Sequence, residues 1–259
     1  MKTFCLIFSL FIALASQAQP SIRNASAGTF HNHTNTVTGG GGGGADTTTG
    51  LIGWWKLDDG SGSTAVDSSV SGNNATLIAS PTWTTGHING GLQFVVPNNQ
   101  SATANTTAIG GLTHATIAGW INRSSSSDTM AFGAGSNGTA DRFNFLWFSD
   151  GNIYFDFGNA DGTKYAHCAL AGTGWHHVAM VFDGALTGNA RITAYVDGVA
   201  QTLIFNNPPP ASLSSSAALG NFVIGTDSSG STDSNGIFDD IRVYNRAMPL
   251  ADVAALAAM

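Results

Sequence analysis

From residue 51 onward one cadence repeats: a short apolar run, then a cluster of Gly, Asn, Asp, Ser or Pro. Runs of this length are too brief for ordinary helices and are bounded as β-strands are. The cadence predicts strands near 52–57, 75–79, 91–96, 115–121, 129–133, 142–148, 152–157, 165–170, 175–182, 190–196, 199–205, 220–225 and 237–244. Asp197-Gly198 joins two of them as a two-residue hairpin turn, because both positions tolerate positive φ. Pro208-Pro209-Pro210 cannot lie in a central strand and marks a loop. Pro249 opens a short terminal helix with Leu250, Val253 and Leu256 on one side. The expected fold is all-β: a two-sheet antiparallel β-sandwich with a short C-terminal helix, occupying residues 50–259.

Composition narrows the function. Only 10% of residues are charged, and the net charge is −7 with nine Lys and Arg scattered along the chain. No basic patch exists to track nucleic acid or anionic lipid. All sixteen acidic residues are Asp, and Glu is absent. Glycosidases need two carboxyl groups at set separations across the scissile bond. No predicted strand clusters Asp residues at i and i+2 or i+4 in that way, which points to binding rather than catalysis.

The chain opens like an export signal: Lys2, an apolar run from Phe4 to Leu14, then Ser16 and Ala18 before a cut after residue 18. The apolar run is too short to cross a bilayer, so a secreted, extracellular protein without membrane insertion is expected. Residues 19–49 lack hydrophobic periodicity and contain the six glycines Gly39 to Gly44, so they read as a flexible leader. His31 and His33 lie in that leader, where two nitrogen ligands alone make a poor metal site. Cys168 is the only cysteine left after cleavage, and it reads as a small apolar residue.

Five segments, in order, carry a family resemblance: Gly50 to Gly60 (GLIGWWKLDDG), Pro81 to Phe94 (PTWTTGHINGGLQF), Gly174 to Gly184 (GWHHVAMVFDG), Tyr195 to Val199 (YVDGV) and Gly236 to Met248 (GIFDDIRVYNRAM). In the last, Ile241 and Val243 alternate with polar neighbours, and Asp240 and Arg242 share one face. Together the segments resemble the bacterial laminin-G-like domains of the concanavalin A-like lectin/glucanase superfamily. The resemblance implies a jelly-roll sandwich. The glucanases of that fold use Glu as nucleophile and acid/base, which this chain lacks. It therefore implies a lectin-like module for a glycan or glycoconjugate, or alternatively an extracellular protein-interaction, adhesion or structural module.

Three places invite a site reading. Trp175-His176-His177 lies in an apolar strand, where adjacent side chains point to opposite sides and cannot converge on one ion. No Gly-x-Ser-x-Gly elbow, HExxH pair or phosphate loop occurs. The loop Asp67 to Asn74 is dense in oxygen donors that suit Ca2+. In the resembled family such a loop holds a structural calcium together with an Asp at the start of the last strand, here Asp239. The hairpin 142–157 is the candidate ligand site. Its turn, Ser149-Asp150-Gly151, suits a type I turn followed by a left-handed Gly. That loop length sends Phe143, Phe145, Trp147, Ile153, Phe155 and Phe157 to the core. Arg142, Asn144, Tyr154 and Asp156 then share the other face, a ring with hydrogen-bonding groups around it for a sugar.

Overall fold

Two antiparallel sheets stack on a core of aromatic rings in the computed structural model, which describes residues 44–105, 108–135, 141–158, 165–170, 172–227 and 232–259. The strands are β1 (Leu51–Trp55), β2 (Thr64–Ala65), β3 (Ala75–Ile78), β4 (Thr82–Thr85), β5 (Gly90–Phe94), β6 (Ser101–Ala104), β7 (His114–Arg123), β8 (Met130–Gly135) and β9 (Arg142–Trp147). They continue as β10 (Asn152–Asp156), β11 (Tyr165–Ala169), β12 (Gly174–Asp183), β13 (Ile192–Val196), β14 (Val199–Ala200), β15 (Ile204–Phe205), β16 (Phe222–Ile224) and β17 (Gly236–Tyr244). Helices α1 (Ser216–Leu219) and α2 (Leu250–Leu256) complete the set. The first sheet runs β14-β13-β12-β7-β17-β5-β4, with β1 also paired to β17. The second runs β15-β11-β10-β9-β8-β16-β6-β3-β2.

Rings from both sheets meet between the layers. Trp55 stacks on Phe222 at 5.1 Å, and Phe132 meets Phe238 edge-on at 6.2 Å. Such contacts are the main hydrophobic contribution of large rings in a core. Cys168 is buried and unpaired, and burial pushes its thiol up to about 11, so it packs as an apolar group. The first sheet is covered on its outer side as well. There Ala179, Val181, Tyr195 and Tyr244 pack with Met248, Val253 and Leu256, the last two from α2.

All thirteen predicted strands are present, the one over 199–205 split into β14 and β15. Three more, β2, β4 and β6, were not predicted. In β6 (Ser-Ala-Thr-Ala) the side chains are too small to give a hydrophobic signal. Its backbone nevertheless pairs with β3 on one side and β16 on the other, burying Ala102 and Ala104.

The domain boundary shifts. Residues 46–49, expected in the leader, are tied to the sandwich. The Asp46 amide donates to Asp252 Oδ1 at 2.8 Å, and Arg246 donates to the carbonyls of Thr49, at 2.7 Å, and Asp46. The Tyr244 hydroxyl donates to the Thr47 carbonyl at 2.9 Å. A cationic side chain just beyond the last strand attracts backbone oxygens wherever the chain passes it, and no periodicity announces this. The signal sequence 1–18, His31, His33 and the leader up to residue 43 lie outside the described residues.

Candidate functional site

The β9–β10 hairpin has the expected register. Trp147 pairs with Ile153 and Phe145 with Phe155. The Gly151 amide closes the turn on the Phe148 carbonyl at 3.2 Å, with Gly151 at φ +81°, a conformation that costs a Gly nothing. Phe143, Phe145, Trp147, Ile153, Phe155 and Phe157 all lie in the core.

The opposite face differs from the solvated platform expected. Arg142, Asn144 and Asp156 point that way but are 4%, 2% and 3% exposed. Arg142 Nη1 stands 3.3 Å from Asp156 Oδ2, and burial pushes the Asp156 carboxyl up to about 6 against the opposing pull of Arg142. The Asn144 amide donates to the Gly135 carbonyl at 3.2 Å. Strand alternation tells which way a side chain points and says nothing of what lies above it. Arg142 and Asp156 therefore hold each other, Asn144 holds the Gly135 carbonyl, and none of the three presents an open surface.

Tyr154 remains half-buried, at the centre of a ring cluster. Its centroid is 5.3 Å from His167, nearly parallel, 5.6 Å from Tyr165 and 5.4 Å from Phe148. All four rings are half-buried. The pairing of Tyr154 with His167 and of Asp156 with Tyr165 places the rings on one side of the sheet. The Tyr154 hydroxyl donates to Asp150 Oδ2 at 2.7 Å, which with burial pushes the phenol up to about 12. Asn152 Nδ2 donates to the same carboxylate at 3.1 Å. Tyr165 and His167 escaped the sequence reading, although they alternate with core residues Ala166 and Cys168. What was missing was the knowledge that β11 lies beside β10.

Asp67 and Asp239, the two expected calcium ligands, are engaged differently. Asp67 Oδ1 accepts the Trp54 and Ser69 amides, both at 2.8 Å. Its Oδ2 accepts the Ser69 hydroxyl at 2.9 Å and the Asn73 amide at 2.8 Å. Four hydrogens point at this carboxylate, so it caps a turn, whereas a cation needs free lone pairs. Asp239 is fully buried, and burial pushes its carboxyl up to about 7, with the like charges of Asp240 and Asp58 adding to the effect. Among the described residues no group of three or more His, Cys, Asp or Glu stands ready for a metal.

His176 and His177 point to opposite sides, as expected. His176 Nδ1 is 2.8 Å from Asp197 Oδ2, and its ring lies against Trp147 in the core. His177 packs against Trp120 on the outer side, where burial pushes its pKa down to about 3.

Two stacked antiparallel sheets in this order define a jelly-roll sandwich. The chain belongs to the concanavalin A-like lectin/glucanases superfamily, whose laminin-G profile matches residues 96–254. A comparison with curated proteins gives no match. Among solved structures, domain 4 of AbnA, a GH43 extracellular arabinanase from Geobacillus stearothermophilus in complex with arabinotriose, is 15% identical. It has a TM-score of 0.54 and covers 80% of this chain and 98% of its own. The binding domain of Paraclostridial Mosquitocidal Protein 1 is 14% identical with a TM-score of 0.60 over 82% of this chain. Trypanosoma rangeli sialidase in complex with sialic acid is 16% identical with a TM-score of 0.57 over 81% of this chain. The match spans only 52% of the toxin domain and 33% of the sialidase. At these identities the likeness is one of fold, shared by carbohydrate-binding, protein-binding and enzymatic proteins.

Proposed function

We propose that this chain is an exported, non-catalytic, lectin-like module that binds a glycan or glycoconjugate at the Tyr154 face. One observation carries the reading: four half-buried rings, Phe148, Tyr154, Tyr165 and His167, touch one another beside the Asp150 carboxylate and the Asn152 amide. A sugar has an apolar C–H side and a rim of hydroxyls, and such a surface meets both. Export rests on the signal-like N-terminus. Among the described residues no helix is long and apolar enough to cross a membrane. Lack of catalysis rests on the absence of Glu and on the Asp156 carboxylate being paired with Arg142.

Protein adhesion is the second reading. Ile204, 62% exposed on edge strand β15, lies directly across from His167 and extends the ring cluster as an apolar surface. A glycan array probed with the exported chain (residues 19–259) and with Tyr154→Ala and Ile204→Lys separates the two. Sugar binding that Tyr154→Ala removes and Ile204→Lys spares supports the lectin reading. An array with no bound glycan removes it.

A further inference from the structure

The outer side of the first sheet carries a cavity of about 420 Å³ on the opposite layer from Tyr154. Three of the segments that line it are β1 and the residues after it, with Trp54, Lys56 and Asp58, the turn between β4 and β5, with Ile88 and Asn89, and β17, with Asp239 and Asp240. Local backbone makes this possible. Strand β17 slips register between Asp239 and Arg242, and Asp240 takes φ +50°. A bulge of this kind re-aims side chains, so two consecutive residues of one strand line the same cavity.

The two carboxylates are used differently. Asp240 is closed: it accepts the Trp54 indole N–H at 2.5 Å and pairs with the Arg242 guanidinium at 3.0 Å. Asp239 is open. Its Oδ2 accepts the Ile88 amide at 2.7 Å, while Oδ1 is buried without any partner. The turn reaches Asp239 because residue 86 is Gly: a Cβ there would come within 2.6 Å of Asp239 Oδ2. A buried carboxylate oxygen without a donor is costly, and the cost disappears when a ligand supplies one.

The walls limit what that ligand is. Lys56 Nζ lies 4.4 Å over the Trp54 ring and offers N–H donors, whereas Asp58 and Asp239 offer acceptors. Both signs of charge line the cavity, so neither a cation nor an anion gains from the whole wall. Leu51, Ile88 and Met259 add apolar surface. A neutral ring with hydroxyls on its edge matches all three demands, since each hydroxyl both donates and accepts. We infer that this cavity is a second sugar site, which takes one pyranose ring through a hydroxyl donated to Asp239 Oδ1 and another accepting from Lys56. It stands on its own observations, independent of the Tyr154 face, and would make one domain bivalent.

The test is a titration of the exported chain with methyl glycosides of glucose, galactose and mannose, read on the Trp54 indole N–H by NMR. The resonance is assigned through Trp54→Phe. At least one glycoside should move it. Asp239→Asn keeps an oxygen for Ile88 but puts a donor where the ligand donates, and Lys56→Met keeps the stem over the indole. Each should weaken binding about tenfold or more, the loss of one charge-assisted hydrogen bond. Tyr154→Ala should leave the titration unchanged. No movement with any glycoside, or unaltered binding in both Asp239→Asn and Lys56→Met, overturns the inference. If the array then still shows binding that only Tyr154→Ala removes, the first site stands without the second.

Discussion

The Asp240 carboxylate and the Arg242 guanidinium meet at 3.0 Å on the last strand, both only 5% exposed. Removing one partner of a buried pair strands the other charge, at a cost of about 3–5 kcal/mol. Asp240→Ala should therefore destabilise strongly alone and much less when Arg242→Met is also present. Chemical denaturation of the four proteins of a double-mutant cycle measures this, and strict additivity refutes it.

The Asp46 amide and carbonyl bind Asp252 and Arg246, whereas residues 19–43 lack the apolar side chains to bury. Deleting 19–43 should leave the thermal midpoint unchanged. Deletion through residue 49 should lower it by about 2–4 °C for each kcal/mol of lost hydrogen bonding. Equal midpoints for both deletions, by calorimetry, would show that the 46–49 contacts contribute nothing.

Tyr154 and Phe155 are neighbours with opposite duties. Tyr154→Ala should abolish glycan binding and leave the fold intact, because the ring stands on the outer face. Phe155 is fully buried against Phe145, and Phe155→Ala should cost about 3–5 kcal/mol. Paired stability and array measurements check both. The reverse outcome would falsify the register and the face together.

Because Asp67 already receives four hydrogens, calcium should not raise the thermal midpoint, and a chelator should not lower it. Asp67→Ala should lose about 1–2 kcal/mol, the usual worth of such a cap, with or without the ion. A calcium-dependent shift that Asp67→Ala erases would restore the cation to this loop.

His177 is held neutral by burial, with its pKa down at about 3 against 6.5 when unfolded. Between those values the unfolded chain binds more protons, so stability falls as pH drops from 6.5 towards 3. Asp156, pushed up to about 6 from 3.8, acts oppositely and gains stability as pH drops from 6 to 3.8. His177→Phe should therefore lose less than the parent between pH 7 and pH 4, seen in midpoints across that range. Parallel losses would assign acid sensitivity to other groups.

Local chemistry made much of this molecule legible. Period-two alternation over 142–157, with Asp150-Gly151 in the turn, determined the hairpin register and its core rings from neighbouring residues alone. The same alternation separated His176 from His177, and Asp197-Gly198 set a turn whose φ values are +50° and +75°. The tertiary structure alone decided what lies above each face. It closed Arg142, Asn144 and Asp156 under cover, joined Tyr165 and His167 to Tyr154, and seated the Ile88 amide on Asp239 across 151 residues. Spacing along the chain reports direction and period, which short-range sterics dictate. Burial and partnership arise when segments distant in sequence pack together, and their identities are written in no single stretch.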